Sequence, residues 1–257
     1  MIKNIINDRP TRLFLILAGF FVTNALIAEI IGVKIFSLEQ TAGFKPSSFS
    51  LFGREGLSFD LTAGVLLWPV VFVMTDIINE YYGPKGVRFL SYLTVVLIGF
   101  AFIVFLAAIK LVPPGWWVAS GEVNGVKDMQ QSYAAILGQS NWIIIASIIA
   151  FLVGQVVDVL VFHRIKRYTG EKKIWLRSTG STLISQLIDS YIVLFIAFYI
   201  GADWSWQQVF AIGMVNYIYK FIVAILLTPV IYLVHGWIER YLGHQTANAM
   251  KTDAMQH

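Results

Sequence analysis

Hydrophobic positions in this chain do not alternate with polar ones or recur on one helical face; they run in long blocks separated by short polar connections. Six such blocks can be marked, at about 12–33, 59–82, 87–110, 141–164, 178–200 and 207–235. Each has the roughly 20 residues that a helix needs to cross a hydrocarbon core of ~30 Å. Helices that are apolar all round belong in the middle of large proteins or in membranes, and the blocks leave too little polar chain to cover them. The pattern therefore predicts an all-α integral membrane protein with six transmembrane helices, forming a single membrane domain over residues 1–257. Two connections are long, 34–58 and 111–140. The second opens with Pro113, Pro114, Gly115, Trp116 and Trp117, as an interfacial loop does, and 128–138 reads as a short surface helix ahead of the fourth span. The first leaves room for a re-entrant segment. The first block follows Arg9 and Arg12 as a signal peptide would, but it passes Ala25 and Ala28 without a small-x-small cleavage site and reads as a span.

Composition agrees: 13% of residues are charged and 57% hydrophobic, against the roughly 25% charged of a soluble domain. There is no cysteine, which excludes disulfides, thiol chemistry and cysteine-based metal sites; no metal and no cofactor is expected. The basic residues lie between the blocks rather than on one surface, so nucleic acid is not an expected partner. The expected partners are the lipid bilayer and a small molecule, with a homodimer left open. Placement of charge also sets an orientation. One set of connections carries Lys3, Arg9, Arg12, Lys85, Arg88, Arg164, Lys166, Arg167, Lys172, Lys173, Arg177, Arg240 and Lys251. The alternate set carries Lys34, Lys45, Arg54, Lys110 and Lys127. The richer set takes the cytoplasmic side, which puts both termini inside and the loops 34–58, 111–140 and 201–206 outside.

Ionisable side chains within spans are costly and mark pathways or sites. Here they are Asp76 and Glu80 in the second span, Asp158 in the fourth, Asp189 in the fifth and Lys220 in the sixth, accompanied by Asn79, Gln155, Gln186 and Asn216. Gly64, Trp68, Phe72, Asp76 and Glu80 fall at steps of four, so an aromatic stripe leads to two carboxylates on one helix face. Ala146, Ala150, Gly154 and Asp158 repeat the spacing with small residues that admit a neighbouring helix. At 1.5 Å per residue, Asp76 and Asp158 sit roughly 8–10 Å from the cytoplasmic ends of their spans and Asp189 ~17 Å. The expected binding set is thus Asp76, Asn79, Gln155, Asp158, Gln186, Asp189, Asn216 and Lys220, with Trp68 and Phe72 as aromatic lining. Competing readings are a helix end at Glu80, an inner clamp of Asp158 with Arg164 or Lys166, a structural Asp189–Lys220 pair, interhelical glue for the amides, and plain interfacial positions for Glu29 and His163.

The chemistry of that set is broad. Carboxylates match paired in-plane N–H donors such as the N1–H and 2-amino group of a guanine edge, Lys or an amide can donate to its O6, and an aromatic ring can cover its face. The same groups could relay protons. Enzyme signatures are absent: there is no H-E-x-x-H, no G-x-S-x-G and no Gly-rich phosphate loop. No catalytic residue is assigned.

The segments Trp68-Pro69, Thr75 to Gly83, Gly154 to Asp158 and Phe162-His163-Arg164 resemble the queuosine precursor transporter family. So do Trp175-Leu176-Arg177, Ser185 to Ser190 and Asn216 to Lys220. The likeness runs over about residues 60 to 235. It implies a bacterial inner-membrane carrier for preQ0, preQ1 or queuine that serves tRNA modification. It also implies a six-helix fold like that of the substrate-binding subunits of energy-coupling-factor vitamin transporters. The alternatives are such a subunit with an ATPase partner and, from a different class, an intramembrane enzyme. Ala25 and Ala28, three apart, do not make the Ala-x-x-x-Ala contact of many such subunits.

Overall fold

The computed structural model describes residues 8–170 and 173–256; Lys3 and Lys172, counted above among the cytoplasmic charges, lie outside them. Helix α1 (Arg9–Ile31) begins at Asp8, whose carboxylate accepts the Thr11 N–H, with Pro10 in the first turn where its missing donor is not needed. Four short strands follow: β1 (Ile35–Ser37), β2 (Phe49–Leu51), β3 (Arg54–Leu57) and β4 (Asp60–Thr62), with a one-turn helix α2 (Leu38–Thr41) after β1. β1 pairs antiparallel with β4 and β2 with β3. This folded loop occupies the connection in which a re-entrant segment had room. It also shortens the second predicted span: 60–62 is strand, Ala63–Leu66 is a 3-10 turn, and regular helix starts only at Trp68 with Pro69 in its first turn. Gly64 therefore does not share a helix with Trp68. Its lack of a side chain matters for packing, since a Cβ there would come 2.8 Å from the Ala28 carbonyl oxygen on α1.

Helix α3 (Trp68–Ile109) is 42 residues long and is broken at Gly83, where φ 68 and ψ −175 leave the helical region. Glycine tolerates that conformation, and Pro84 next to it cannot donate to the preceding turn. Both ends of α3 lie at one end of the bundle: Trp68 lines the same cavity as Gly138, and Gly138 packs against Ile109. Beyond α3 come α4 (Gly115–Val118), a 3-10 stretch (Ala119–Asn124) and α5 (Met129–Leu137), the expected surface helix, capped by Asp128. Three long helices follow, α6 (Asn141–Thr169), α7 (Ile174–Leu194, continuing as π-helix over Phe195–Ile200) and α8 (Trp206–Leu242), then α9 (His244–Gln256). α8 opens with a reciprocal Ser205–Gln208 capping box.

Five helical stretches among the described residues are long and apolar enough to cross a membrane: Arg9–Ile31, Ala63–Ile109, Met129–Thr169, Ile174–Ile200 and Trp206–Leu242. Large apolar side chains such as Leu15, Phe20, Phe100, Ile103, Leu160, Leu226 and Leu233 are exposed on the outside of the bundle. So much exposed apolar surface is a liability in water and the natural coat of a protein in lipid. Inside, Phe21 and Ala25 of α1 pack with Val71, Met74 and Ile78 of α3 and Phe151 of α6. A second cluster joins Leu13, Ile77 and Tyr81 to Ile231, Ile238 and Leu242 of α8 and Ala247 of α9.

At the end opposite the strands, three helices are tied by charge. Glu80 does not end a helix at an interface; it is buried and binds Arg177 of α7 at 2.7 Å and Lys166 of α6 at 3.1 Å. Lys166 and Arg177, read above as connecting-loop charges, are likewise buried, and Lys166 pairs with Glu80 rather than with Asp158. Removing one member of a buried pair is strongly destabilising because the partners stay buried. Glu80→Ala should lower stability by about 3–5 kcal/mol, seen as an earlier thermal transition of the purified protein in detergent. An unchanged transition would show that this clamp holds nothing together.

Candidate functional site

A cavity of about 440 Å³ lies at the end of the bundle where the strands and α5 gather. Glu29 of α1, Trp68 of α3, Ser147 of α6, Asp189 and Ser190 of α7, and Asn216 and Lys220 of α8 line it, with apolar wall from Val193, Leu194 and Phe198. The Lys220 ammonium donates to Asp189 Oδ2 at 2.8 Å and to Ser190 Oγ at 2.9 Å. Glu29 Oε2 accepts from Ser147 Oγ at 3.1 Å, while Oε1 is buried with no partner among the described residues. Gly154 sets the floor: a Cβ there would meet Phe72 Cζ at 3.3 Å and Asp189 Cβ at 3.5 Å. Phe72 is therefore packed beneath the cavity and is not part of its lining.

One helical turn further from the strands, the polar residues are fully enclosed. Asp76 accepts hydrogen bonds from Ser181 (3.2 Å), Thr182 (3.1 Å) and Ser178 of α7. Asp158 of α6 lies against it and accepts from Ser185 at 3.0 Å. Gln155 accepts from Thr75 at 2.9 Å, but its amide nitrogen has no partner among the described residues, nor has either amide atom of Gln186. A turn beyond, Asn79 Oδ1 meets His163 Nε2 at 2.9 Å, next to the Glu80 clamp. Tyr81 then bonds His235 of α8 at 3.0 Å.

The predicted residues thus fall into two groups. Trp68, Asp189, Asn216 and Lys220 meet in the cavity. Asp76, Gln155, Asp158 and Gln186 form a closed polar layer behind it, and Asn79 lies a turn further still. Sequence reasoning passed over Glu29 and Ser147, which complete the cavity, and the hydroxyl stripe Ser178, Ser181, Thr182 and Ser185. That stripe had a readable signal, for its spacing of three, four and seven puts every hydroxyl on one face of α7. His163 is no interfacial bystander, since it holds the Asn79 side chain.

A carboxylate bonded to an ammonium in a semi-enclosed cavity, with amides and hydroxyls beside it, can hold a small planar molecule bearing both donors and acceptors. Comparison with known proteins gives this geometry a family. The family described as "Putative vitamin uptake transporter" matches residues 62–234. A protein of Bacillus subtilis (strain 168) named "Probable queuosine precursor transporter" is 31% identical over 183 residues, covering 68% of this chain and 72% of the relative. A Haemophilus influenzae protein of the same name is 26% identical over 230 residues, 87% of this chain and 86% of its own. The "Queuosine precursor transporter" of Escherichia coli (strain K12) is 24% identical over 198 residues, 76% of this chain and 82% of its own. No solved structure matches. Glu29 lies outside the matched segment, whereas Trp68, Asp189, Asn216 and Lys220 lie within it. The chain is a multi-pass inner-membrane transporter, not an enzyme, and it belongs to this uptake family.

Proposed function

We propose that the protein imports a 7-deazaguanine precursor of queuosine (preQ0, preQ1 or queuine) across the bacterial inner membrane. The observation that carries the reading is the Asp189–Lys220 pair beside Asn216 in the cavity wall, in a chain whose relatives are named for this cargo. A carboxylate has about four lone-pair sites, so Asp189 can keep Lys220 and still accept the N1–H and 2-amino group of the base. Lys220 or Asn216 donates to O6, Trp68 covers a ring edge or face, and Glu29 Oε1 accepts a further donor, such as a cationic aminomethyl group. A cavity of about 440 Å³ falls in the range typical of small-molecule sites.

The chain crosses six times in this reading, with α3 counted twice because it turns back at Gly83. Both termini are then cytoplasmic and the cavity faces outward. The basic bias supports that orientation, and it survives the removal of Lys166 and Arg177 from the count of loop charges. Work without an ATPase module is supported by Ala25 and Ala28, which are buried against α3 and the Gly64 turn and so present no contact stripe to a partner.

Three outcomes are expected. Single cysteines replacing exposed Lys45 or Glu122 should react with an impermeant thiol reagent on intact cells, while one replacing Arg88 should not; labelling at Arg88 from outside would reverse the orientation. Asp189→Asn and Lys220→Met should each abolish uptake in inserted, folded protein. If the pair were structural only, the double variant would regain transport. Finally, a pocket for a deazaguanine needs no donor facing position 7, so guanine would enter with N7 unpaired. One buried unsatisfied group costs ~1–3 kcal/mol, and preQ0 or preQ1 should bind at least about tenfold more tightly than guanine. Calorimetric titration showing equal affinities, or binding of an unrelated vitamin alone, would end the assignment.

A further inference from the structure

Among the described residues, the closed layer behind the cavity holds two carboxylates and no countercharge. Asp76 and Asp158 are buried to 1% and 0% exposure and lie within hydrogen-bonding reach of each other. Among the described residues no lysine, arginine or histidine forms an ion pair with either. The charges nearby are engaged elsewhere. Glu80, Lys166 and Arg177 bind one another a turn toward the clamp, and His163 is bound to Asn79. His235 of α8 is bound to Tyr81, and Asp189 and Lys220 pair at the cavity floor. Ser178 and Thr182 donate to Asp76 and stabilise one negative charge there, with Ser181, shared with the Ser178 carbonyl oxygen, as a third donor within reach. Asp158 receives Ser185 on Oδ1, with Ser181 also within reach, and its Oδ2 has no donor among the described residues. Two carboxylates in contact, away from water, cannot both stay ionised.

We propose that Asp76 and Asp158 form a proton site, separate from the cargo cavity, that couples import to the inward proton gradient. One proton sits between Asp158 Oδ2 and Asp76. The carboxylates are close enough to share a hydrogen bond, and among the described residues no third carboxylate, histidine or cysteine joins them in a group that could hold a metal ion. The site has a route to the cavity. Asp189 packs on Gly154, one turn or about 6 Å along α6 from Asp158. The Gln155 amide nitrogen and the Gln186 amide, unpaired among the described residues, lie in that interval. The proton enters from outer water through the cavity, forming an O–H bond on the carboxyl pair as one in water breaks, and leaves to inner water past Asn79 and His163 by the reverse exchange, so one proton moves inward with each cargo and no covalent bond of the cargo changes.

The coupling half of the proposal rests on the cargo reading; the proton site itself does not. In wild-type protein without cargo, infrared spectroscopy should show the carbonyl stretch of a protonated buried carboxyl, shifted by deuterium exchange and absent from Asp76→Asn and Asp158→Asn. No such band in the wild type would overturn the site, even if neither variant folds. In proteoliposomes containing the full chain, radiolabelled preQ0, a base without net charge, should accumulate when the interior is made alkaline. A gradient of one pH unit drives at most about tenfold accumulation for one proton per cargo. The two variants should lose this accumulation while keeping preQ0 binding and preQ0–preQ0 exchange. Accumulation driven by a sodium gradient and indifferent to pH would overturn coupling, as would variants that still accumulate. A wild type that shows the band but binds no preQ0 would support the proton site and sink the cargo assignment instead.

Discussion

A carboxylate placed in hydrocarbon must be met by donors carried on neighbouring helices, because no water is there to meet it. That requirement organises this bundle. α7 supplies the donors: Arg177 to Glu80, then Ser178, Ser181 and Thr182 to Asp76, then Ser185 to Asp158. Each step along α7 meets the next acid on α3 or α6. The register of the three helices is therefore set by polar contacts, where lipid-like side chains alone would let them slide. Asp189, one turn past Ser185 on the same face, emerges from this stack into the cavity. The cavity is the open end of a polar column whose other end is closed by the Glu80 clamp.

The two ends differ in how they are closed. At the cavity end, helix termini, the short strands and α5 surround a volume of about 440 Å³. At the other end, Glu80, Lys166 and Arg177 join α3, α6 and α7, and α9 adds a second lock in which Lys251 bonds Glu239 and sits 5.5 Å over the Tyr81 ring. Tyr81 in turn holds His235. The clamp and the α9 lock share neighbouring positions on α3, so release of this end has to undo both.

Much of this was readable in the sequence. Block lengths marked the long apolar helices, the gap between the blocks at 59–82 and 87–110 held the break, 128–138 read as a short helix, and charge at membrane depth marked Asp189 and Lys220. Three features were hidden for physical reasons. The strand pairing of 35–37 with 60–62 joins segments too short and too far apart for local periodicity to show. The burial of Lys166 and Arg177 depends on Glu80, which lies on another helix. Glu29 looked peripheral because depth was counted along α1 alone, whereas Ser147 and Gln139 close over it from α6 and the turn before it. Grouping residues by depth alone also merged two layers that lie one helical turn apart.

The seat of α9 on the α3 break has a consequence for biosynthesis. A Cβ at Gly83 would stand 3.2 Å from the Ala254 carbonyl oxygen, so the break is covered by a segment about 170 residues further along the chain. During translation, α3 emerges long before Ala254 leaves the ribosome. The nascent protein must hold its helices together with that corner bare until α9 arrives, and the bundle beneath has to be assembled well enough to wait for it.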